Sequence, residues 1–244
     1  MLLTRKLGAT LLAWCLPMLL FAQSKKPSLR ISHLTGNCYV FTSWNMYRSE
    51  PVPANGLYVL TPKGAVLLDS PWDTTECKPL LDSIYARHHQ KVVLCIATHS
   101  HGDRTGGFGI LQREGIATWS SQETYDTCVV HHEHTAAYRF LKDTTFNIGG
   151  CRIQTYYPGP GHTADNIVLW LPQNKVLYGG CFVKCTEDTG LGYIAEANLE
   201  AWPASIRNVQ KRFPHPAYVI PGHGSWENIA SLDHTFQLLK ERKK

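Results

Sequence analysis

The stretch Ala97-Thr98-His99-Ser100-His101-Gly102-Asp103-Arg104 decides what this chain can fold around. It closes the apolar run 92–98, which predicts a buried strand, and it offers three potential metal ligands in quick succession. His99 and His101 stand two positions apart, so in extended backbone both side chains face the same side and can chelate one ion. Asp103 continues that spacing with a carboxylate. The stretch therefore predicts a metal site at the end of a strand.

Three further ligand candidates follow other predicted strands. His162 stands in Pro-Gly-Pro-Gly-His-Thr (158–163), Cys181 follows an apolar run closed by Gly-Gly, and His223 stands in Pro-Gly-His-Gly (221–224). Loops that are held at the end of a sheet gather functional side chains, so we expect these residues to converge with the first stretch.

The candidates divide into two sets of three. Three neutral imidazoles suit one tetrahedral Zn²⁺ with an open position for water. A carboxylate, a thiolate and an imidazole suit a second ion, and the thiolate favours Zn²⁺ over Mg²⁺ or Ca²⁺. The first set is His99, His101 and His162, and the second is Asp103, Cys181 and His223. We therefore predict two zinc ions per chain, acting together on one substrate.

Composition sets the class of protein around this site. The 244 residues are 43% hydrophobic and 18% charged, which is typical of a chain that forms a core and excludes disorder, collagen and coiled coil. The formal net charge of +5 is mild and scattered, which argues against nucleic-acid binding. Seven cysteines follow residue 22, an odd number in a chain of this size, so a disulfide framework is not expected.

The N-terminus reads as a secretory signal peptide spanning residues 1–22. Arg5 and Lys6 form a basic head, residues 7–21 are apolar apart from Pro17, and Ala22 is a small residue before a cleavage point. No later window is apolar for long enough to span a membrane, so no anchor is expected. The prediction is a periplasmic, monomeric protein whose residues 23–244 form a single domain.

Short β-branched runs alternate with longer amphipathic stretches along that domain. The opening third predicts an antiparallel meander, and later strands alternate with helices, which indicates helices covering a mixed sheet. Residues 43–55, which include Trp44, read as a loop that either folds onto the core or covers a pocket. Strands are predicted at 38–41, 57–61, 65–69, 92–98, 116–119, 152–157, 167–171, 176–179 and 217–220, and helices at 74–87, 108–114, 121–141, 199–213 and 227–242.

Four motifs together carry a resemblance to a known family. HSHGDR (99–104), PGPGHTADN (158–166), YGGCFVK (178–184) and IPGHG (220–224) resemble the metallo-β-lactamases, specifically the first subclass of class B, over nearly all of residues 30–242. The resemblance implies an α/β fold, a four-layer αβ/βα sandwich of two mixed β-sheets flanked by helices. It implies hydrolysis of the β-lactam amide of penicillins, cephalosporins and carbapenems by a zinc-bound hydroxide, and hence antibiotic resistance.

The resemblance also assigns roles to single residues. It implies the same two zinc ligand sets, with Asp103 also orienting the nucleophile and Lys184 binding the substrate carboxylate. Residues 43–55 match a substrate-covering loop. Tyr193 stands where family members commonly have asparagine, which puts its contact with the substrate carbonyl in question. Arg104 and Asp69 match positions that steady the ligands, and the substrate-binding candidates are Lys184, Tyr193 and Trp44.

Two other functions compete with this interpretation. Thioesterases, lactonases and nucleases of the same fold also use His-x-His-x-Asp, but they typically place a histidine after the aspartate and a second aspartate between the metals, where this chain has Arg104 and Cys181. A non-catalytic, exported zinc-binding protein is the other alternative. It is suggested by three histidines on a predicted helix, which more simply form a polar face: His131, His132 and His134.

Overall fold

The computed structural model describes residues 26–242, so the predicted signal peptide lies outside the described residues. Within that range no helix has both the length and the apolar character needed to cross a membrane. The strands are β1 (Arg30–Thr35), β2 (Cys38–Tyr47), β3 (Glu50–Thr61), β4 (Gly64–Leu68), β5 (Val92–Ile96), β6 (Ala117–Ser121), β7 (Tyr138–Phe140), β8 (Thr145–Ile148), β9 (Cys151–Tyr156), β10 (Val168–Leu171), β11 (Val176–Gly180) and β12 (Tyr218–Pro221). The helices are α1 (Cys77–His88), α2 (Gly102–Thr105), α3 (Phe108–Arg113), α4 (Gln122–His131), α5 (Trp202–Arg212) and α6 (Ser231–Glu241).

The strands form two mixed sheets. The first has seven strands in the order β1-β2-β3-β4-β5-β6-β7, antiparallel from β1 to β4 and parallel from β4 to β7. The second has five strands in the order β12-β11-β10-β9-β8, with only the β11–β12 pair parallel. The antiparallel meander and the mixed sheets predicted from the sequence are confirmed.

Three apolar clusters hold the layers together. The central cluster joins the facing sides of the two sheets and includes Leu57, Leu68 and Tyr178, none of which is exposed. A second cluster packs α1 and α3 on the outer side of the seven-stranded sheet, and a third packs α5 and α6 on the outer side of the five-stranded sheet. Each sheet therefore buries both faces, which gives the predicted four-layer sandwich.

The helix predicted over 121–141 was wrong in its second half. α4 ends at His131, and His132 adopts the left-handed conformation with φ of 58°, which terminates the helix. The chain then forms β7 on the edge of the seven-stranded sheet. His131, His132 and His134 belong to none of the potential metal groups found among residues 26–242.

The loop predicted at 43–55 is an extension of two paired strands. β2 and β3 remain in register from Cys38 opposite Val59 to Tyr47 opposite Glu50. Arg48 and Ser49 both have positive φ, the conformation of a two-residue hairpin turn that matches strand twist. The hairpin therefore projects from the sheet as a regular ribbon, and its tip is exposed.

Candidate metal centre

The ligand candidates lie where strands of both sheets end. β5 leads into His99, and β11 and β12 lead directly into Cys181 and His223. Backbone hydrogen bonds join the two sheets here, from Ile167 N to Thr98 O at 2.9 Å and from Asn55 N to Gly222 O at 2.8 Å. Gly222 is required at this point, because a Cβ atom would lie 2.6 Å from Cys181 N.

The first set of ligands converges on one point. His99 Nε2 lies 3.2 Å from His101 Nδ1, which lies 3.3 Å from His162 Nε2. Nitrogens that each sit 2.0–2.1 Å from one tetrahedral Zn²⁺ are about 3.3 Å apart, so the spacing fits a zinc ion. Burial holds the pKa values of His99 and His162 well below the ordinary histidine range. Both imidazoles are therefore neutral and can offer lone pairs to a metal.

Two of the three histidines have a partner at the outer nitrogen that orients the ring. His101 Nε2 lies 3.2 Å from Glu196 Oε2, and His99 Nδ1 lies 3.3 Å from the hydroxyl of Thr98. A carboxylate that accepts from the outer nitrogen sets the tautomer and strengthens the inner nitrogen as a ligand. His162 Nδ1 is buried and has no hydrogen-bond partner in the described protein.

The three donor atoms of the second set lie as close to one another as the neighbouring nitrogens of the first set. Cys181 Sγ lies 3.3 Å from Asp103 Oδ2 and 3.2 Å from His223 Nε2, and those two atoms are 3.0 Å apart. Burial alone would raise the pKa of Asp103, but Arg104 and His223 hold this pKa well below its usual range. The outer nitrogen of His223, Nδ1, lies 2.6 Å from the carbonyl oxygen of Pro53, so Nε2 faces the other two donors. A thiolate, a carboxylate and an imidazole together fit zinc.

Arg104 connects the second set of ligand candidates to both sheets through hydrogen bonds. It is fully buried, and its Nη2 donates to Cys181 Sγ and to Gly222 O, both at 2.9 Å. Its Nη1 donates to Asn55 O at 2.7 Å. Asp69, which has φ of 63°, lies 3.4 Å from Nη1 and accepts hydrogen bonds from Tyr178 and Thr98. Burial raises the pKa of Asp69 to about 6, against the pull of Arg104.

An open cleft of about 910 Å³ lies over both sets. Lys184 and Tyr193 line it, as expected for residues that meet a substrate. Trp44 does not line it; its backbone N–H donates to Glu76 at the base of the hairpin, while other hairpin residues reach the cleft. Those residues are Tyr47, Arg48 and Val52.

Sequence reasoning missed two polar residues that organise the site. Glu196 faces His101 from 95 positions away, and Asn55 joins β3 to the loop that carries His223. Glu196 follows the glycine-rich segment Gly190-Leu191-Gly192. The two glycines predict a loop, and this was the only sequence signal that could have pointed to Glu196. Asn55 ends the segment 43–55 that the sequence predicts as a loop, and no local pattern indicates its contact with the loop that carries His223.

Comparison with known proteins gives consistent similarities. The family model described as the metallo-beta-lactamase superfamily matches residues 50–241. The chain is 40% identical over 215 residues to "Metallo-beta-lactamase type 2" of Elizabethkingia meningoseptica, covering 88% of this chain and 86% of that protein. It is 35% identical over 209 residues to "Metallo-beta-lactamase IND-1" of Chryseobacterium indologenes, covering 86% of this chain and 87% of that protein.

Solved structures agree with this result. A metallo-beta-lactamase from Pontibacter korlensis superposes with a TM-score of 0.84 at 39% identity, covering 87% of this chain and 99% of that one. The DIM-1 metallo-beta-lactamase superposes with a TM-score of 0.83 at 35% identity, covering 89% and 100%. The range of the family model, residues 50–241, includes both sets of ligand candidates.

Proposed function

Because the chain belongs to the metallo-β-lactamase superfamily, we propose that it holds two zinc ions and hydrolyses penicillins, cephalosporins and carbapenems, so that it confers resistance to them. It is a zinc metallo-β-lactamase of class B, first subclass, and a hydrolase of β-lactams. The observation that carries the two-ion proposal is the pair of donor sets beneath one cleft, with contacts of 3.0–3.3 Å between neighbouring ligand atoms in each set.

Asp103 is the residue that we place at the reacting atoms. Its Oδ2 contacts Cys181, His223 and Arg104, whereas its Oδ1 lies 4.0 Å from His99 Nε2, toward the first set. Bound zinc supplies Lewis acidity, which polarises a carbonyl and acidifies water. Asp103 Oδ1 then accepts a hydrogen bond from the attacking water and orients it toward the lactam carbonyl.

Lys184 anchors the substrate carboxylate. Its side chain is buried at 7% exposure, and its ammonium lies 5.6 Å from the ring centroid of Trp202, whose indole N–H donates to Phe182 O. A single ammonium in a partly dry wall attracts a carboxylate strongly, because little water screens it. The lactam ring is thereby held with its carbonyl over the metal sets.

The two aromatic candidates have different positions in this scheme. Tyr193 is 50% exposed on the wall of the cleft, within reach of a bound substrate. Trp44 acts through the hairpin: it stands in β2 opposite Pro53 and fixes the ribbon whose tip closes over the substrate. The basic head and apolar stretch of residues 1–22 support export to the periplasm, where we propose that the mature protein acts as a monomer on small β-lactams.

Turnover of a carbapenem by the purified chain, with a parallel zinc count, tests the proposal. We expect about two zinc ions per chain and turnover that a chelator abolishes. Cys181→Ala should retain about one zinc ion and lose most of the turnover, because the second set loses its thiolate.

Cys185→Ala is the matched control. Cys185 is a buried cysteine four positions away that belongs to neither set, so this variant should keep both ions and the turnover. Full activity in Cys181→Ala would refute the two-ion scheme. Two bound ions without turnover of any β-lactam would refute the proposed substrates.

A further inference from the structure

The loop that carries Tyr193 is held rigidly between the cleft and the core. Leu191 is 5% exposed and belongs to the apolar cluster under α5 and α6, and a turn closes from Ala197 N to Ile194 O at 3.1 Å. The backbone N–H of Asn198 donates to Gly161 O, next to His162, at 2.8 Å. The loop therefore presents Tyr193 and Glu196 to the cleft from a fixed backbone.

Both of these side chains face His101. The Tyr193 hydroxyl donates to Glu196 Oε1 at 3.4 Å, while Glu196 Oε2 lies 3.2 Å from His101 Nε2. The Tyr193 ring packs edge-on against the His101 ring, with centroids 5.6 Å apart at 75°. Each oxygen of the carboxylate thus has its own donor, and the tyrosine ring packs against one side of the imidazole.

We infer that Tyr193 is a positioning residue for the first metal set, acting through Glu196 on His101, and is not the donor to the substrate carbonyl. A phenol has one O–H to donate, and here that proton goes to Glu196. The same contact orders the carboxylate that keeps the proton on His101 Nε2 and leaves Nδ1 free for the metal. The inference rests on the proposed function only for the identity of the metal.

The effect of the hydroxyl should be moderate. Removing a carboxylate that holds a ligating histidine typically weakens metal binding about 10- to 100-fold. The contact between Tyr193 and Glu196 is longer and partly open to water, with Tyr193 50% exposed. Loss of the hydroxyl alone should therefore weaken zinc binding by about three- to tenfold.

Zinc affinity, measured by competition with a chromophoric chelator, is the primary test and needs no substrate. Tyr193→Phe removes the hydroxyl but keeps the ring, and we expect zinc binding to weaken by about three- to tenfold. Glu196→Gln should weaken binding further. The double variant should match Glu196→Gln, because the hydroxyl acts only through that carboxylate. Tyr85→Phe, an exposed tyrosine on α1, is the matched control.

Two outcomes would overturn the inference. A fall in kcat of about 10²- to 10³-fold in Tyr193→Phe, with unchanged zinc affinity, would make Tyr193 a donor to the reacting carbonyl. Zinc affinities equal to wild type in both single variants would remove any positioning role. Because the zinc measurement is independent of turnover, failure of the proposed β-lactam hydrolysis would be visible separately.

Discussion

Lys184 places a buried cationic side chain in the wall of the cleft. Its backbone N–H donates to the hydroxyl of Thr235 in α6 at 2.8 Å, so the side chain projects from a fixed point. Burial lowers the pKa of Lys184 below 10.5, against the charges of Cys181, Asp188 and Asp103. A lysine of this kind loses its proton at a lower pH than an exposed one, and only the protonated form attracts a carboxylate.

The KM for a substrate with a free carboxylate should therefore rise with pH before the ordinary lysine range is reached. In Lys184→Arg, which keeps its charge, KM should stay constant over the same pH range. Lys184→Ala should lower kcat/KM by about 10- to 100-fold at neutral pH. Steady-state kinetics on matched acid and ester forms of one β-lactam checks this. An equal alkaline rise in KM for both forms would contradict the assignment.

Arg104 illustrates why a buried charge can be tolerated between the sheets. Its two terminal nitrogens have five partners within 3.3 Å besides the carboxylate of Asp103, among them Asn55 O, Gly222 O and Cys181 Sγ. A buried guanidinium is stable when most of its protons are used and opposite charge is near; Nε is the one nitrogen of Arg104 without a partner among the described residues. Asp103 and Asp69 supply that charge on either side.

At the scale of elements, Asn55 links the seven-stranded sheet to the loop after β12. Its Nδ2 donates to Pro221 O at 3.1 Å and to Gly224 O at 2.9 Å, on both sides of His223. Its backbone N–H donates to Gly222 O at 2.8 Å. One side chain in β3 therefore determines where a ligand from the other sheet lies.

Replacing Asn55 by Ala should cost about 1–3 kcal/mol in the free energy of unfolding, because a buried carbonyl and a half-buried one lose their donor. It should also weaken the second metal site by about tenfold, as expected when a group that orients a ligand is removed. Urea unfolding of the zinc-free protein and chelator competition measure the two effects. Asn147→Ala, at an exposed position of β8 where the side chain accepts a hydrogen bond only from Gly150 N–H, should leave zinc binding unchanged and cost less in the free energy of unfolding. Equal losses in both variants would argue against a specific role of Asn55.

Strands and helices that are marked by a local sequence pattern could be predicted from the sequence. Contacts between segments far apart in the chain could not. β5 and β11 are apolar runs closed by ligand candidates, so the sequence indicates both the strand and its functional end. β1, β7 and β8 are short or half-exposed edge strands whose pairing depends on neighbours, and they were missed. Glu196 was missed for the same reason, since only the folded chain brings it to His101.

At the scale of the whole molecule, each sheet supplies part of the metal centre. His99, His101 and Asp103 follow β5 of the seven-stranded sheet, whereas the other three candidates follow strands of the five-stranded sheet: His162, Cys181 and His223. Each proposed ion would therefore join the two halves of the sandwich. A metal that binds the folded chain and not the unfolded one stabilises the fold by mass action.

This cross-linking predicts the effect of removing zinc. At free zinc 100 times the dissociation constant, each site adds about 2.7 kcal/mol, and each kcal/mol shifts the Tm of a domain of this size by about 2–4 °C. Chelation should thus lower the Tm by roughly 10–20 °C if both sites fill independently. In Cys181→Ala only the first set is intact, so chelation should lower the Tm by about half as much. In Cys185→Ala both sets are intact, and chelation should lower the Tm by the full amount. Differential scanning calorimetry with and without chelator measures it, and equal shifts in the two variants would mean that only the first set stabilises the sandwich.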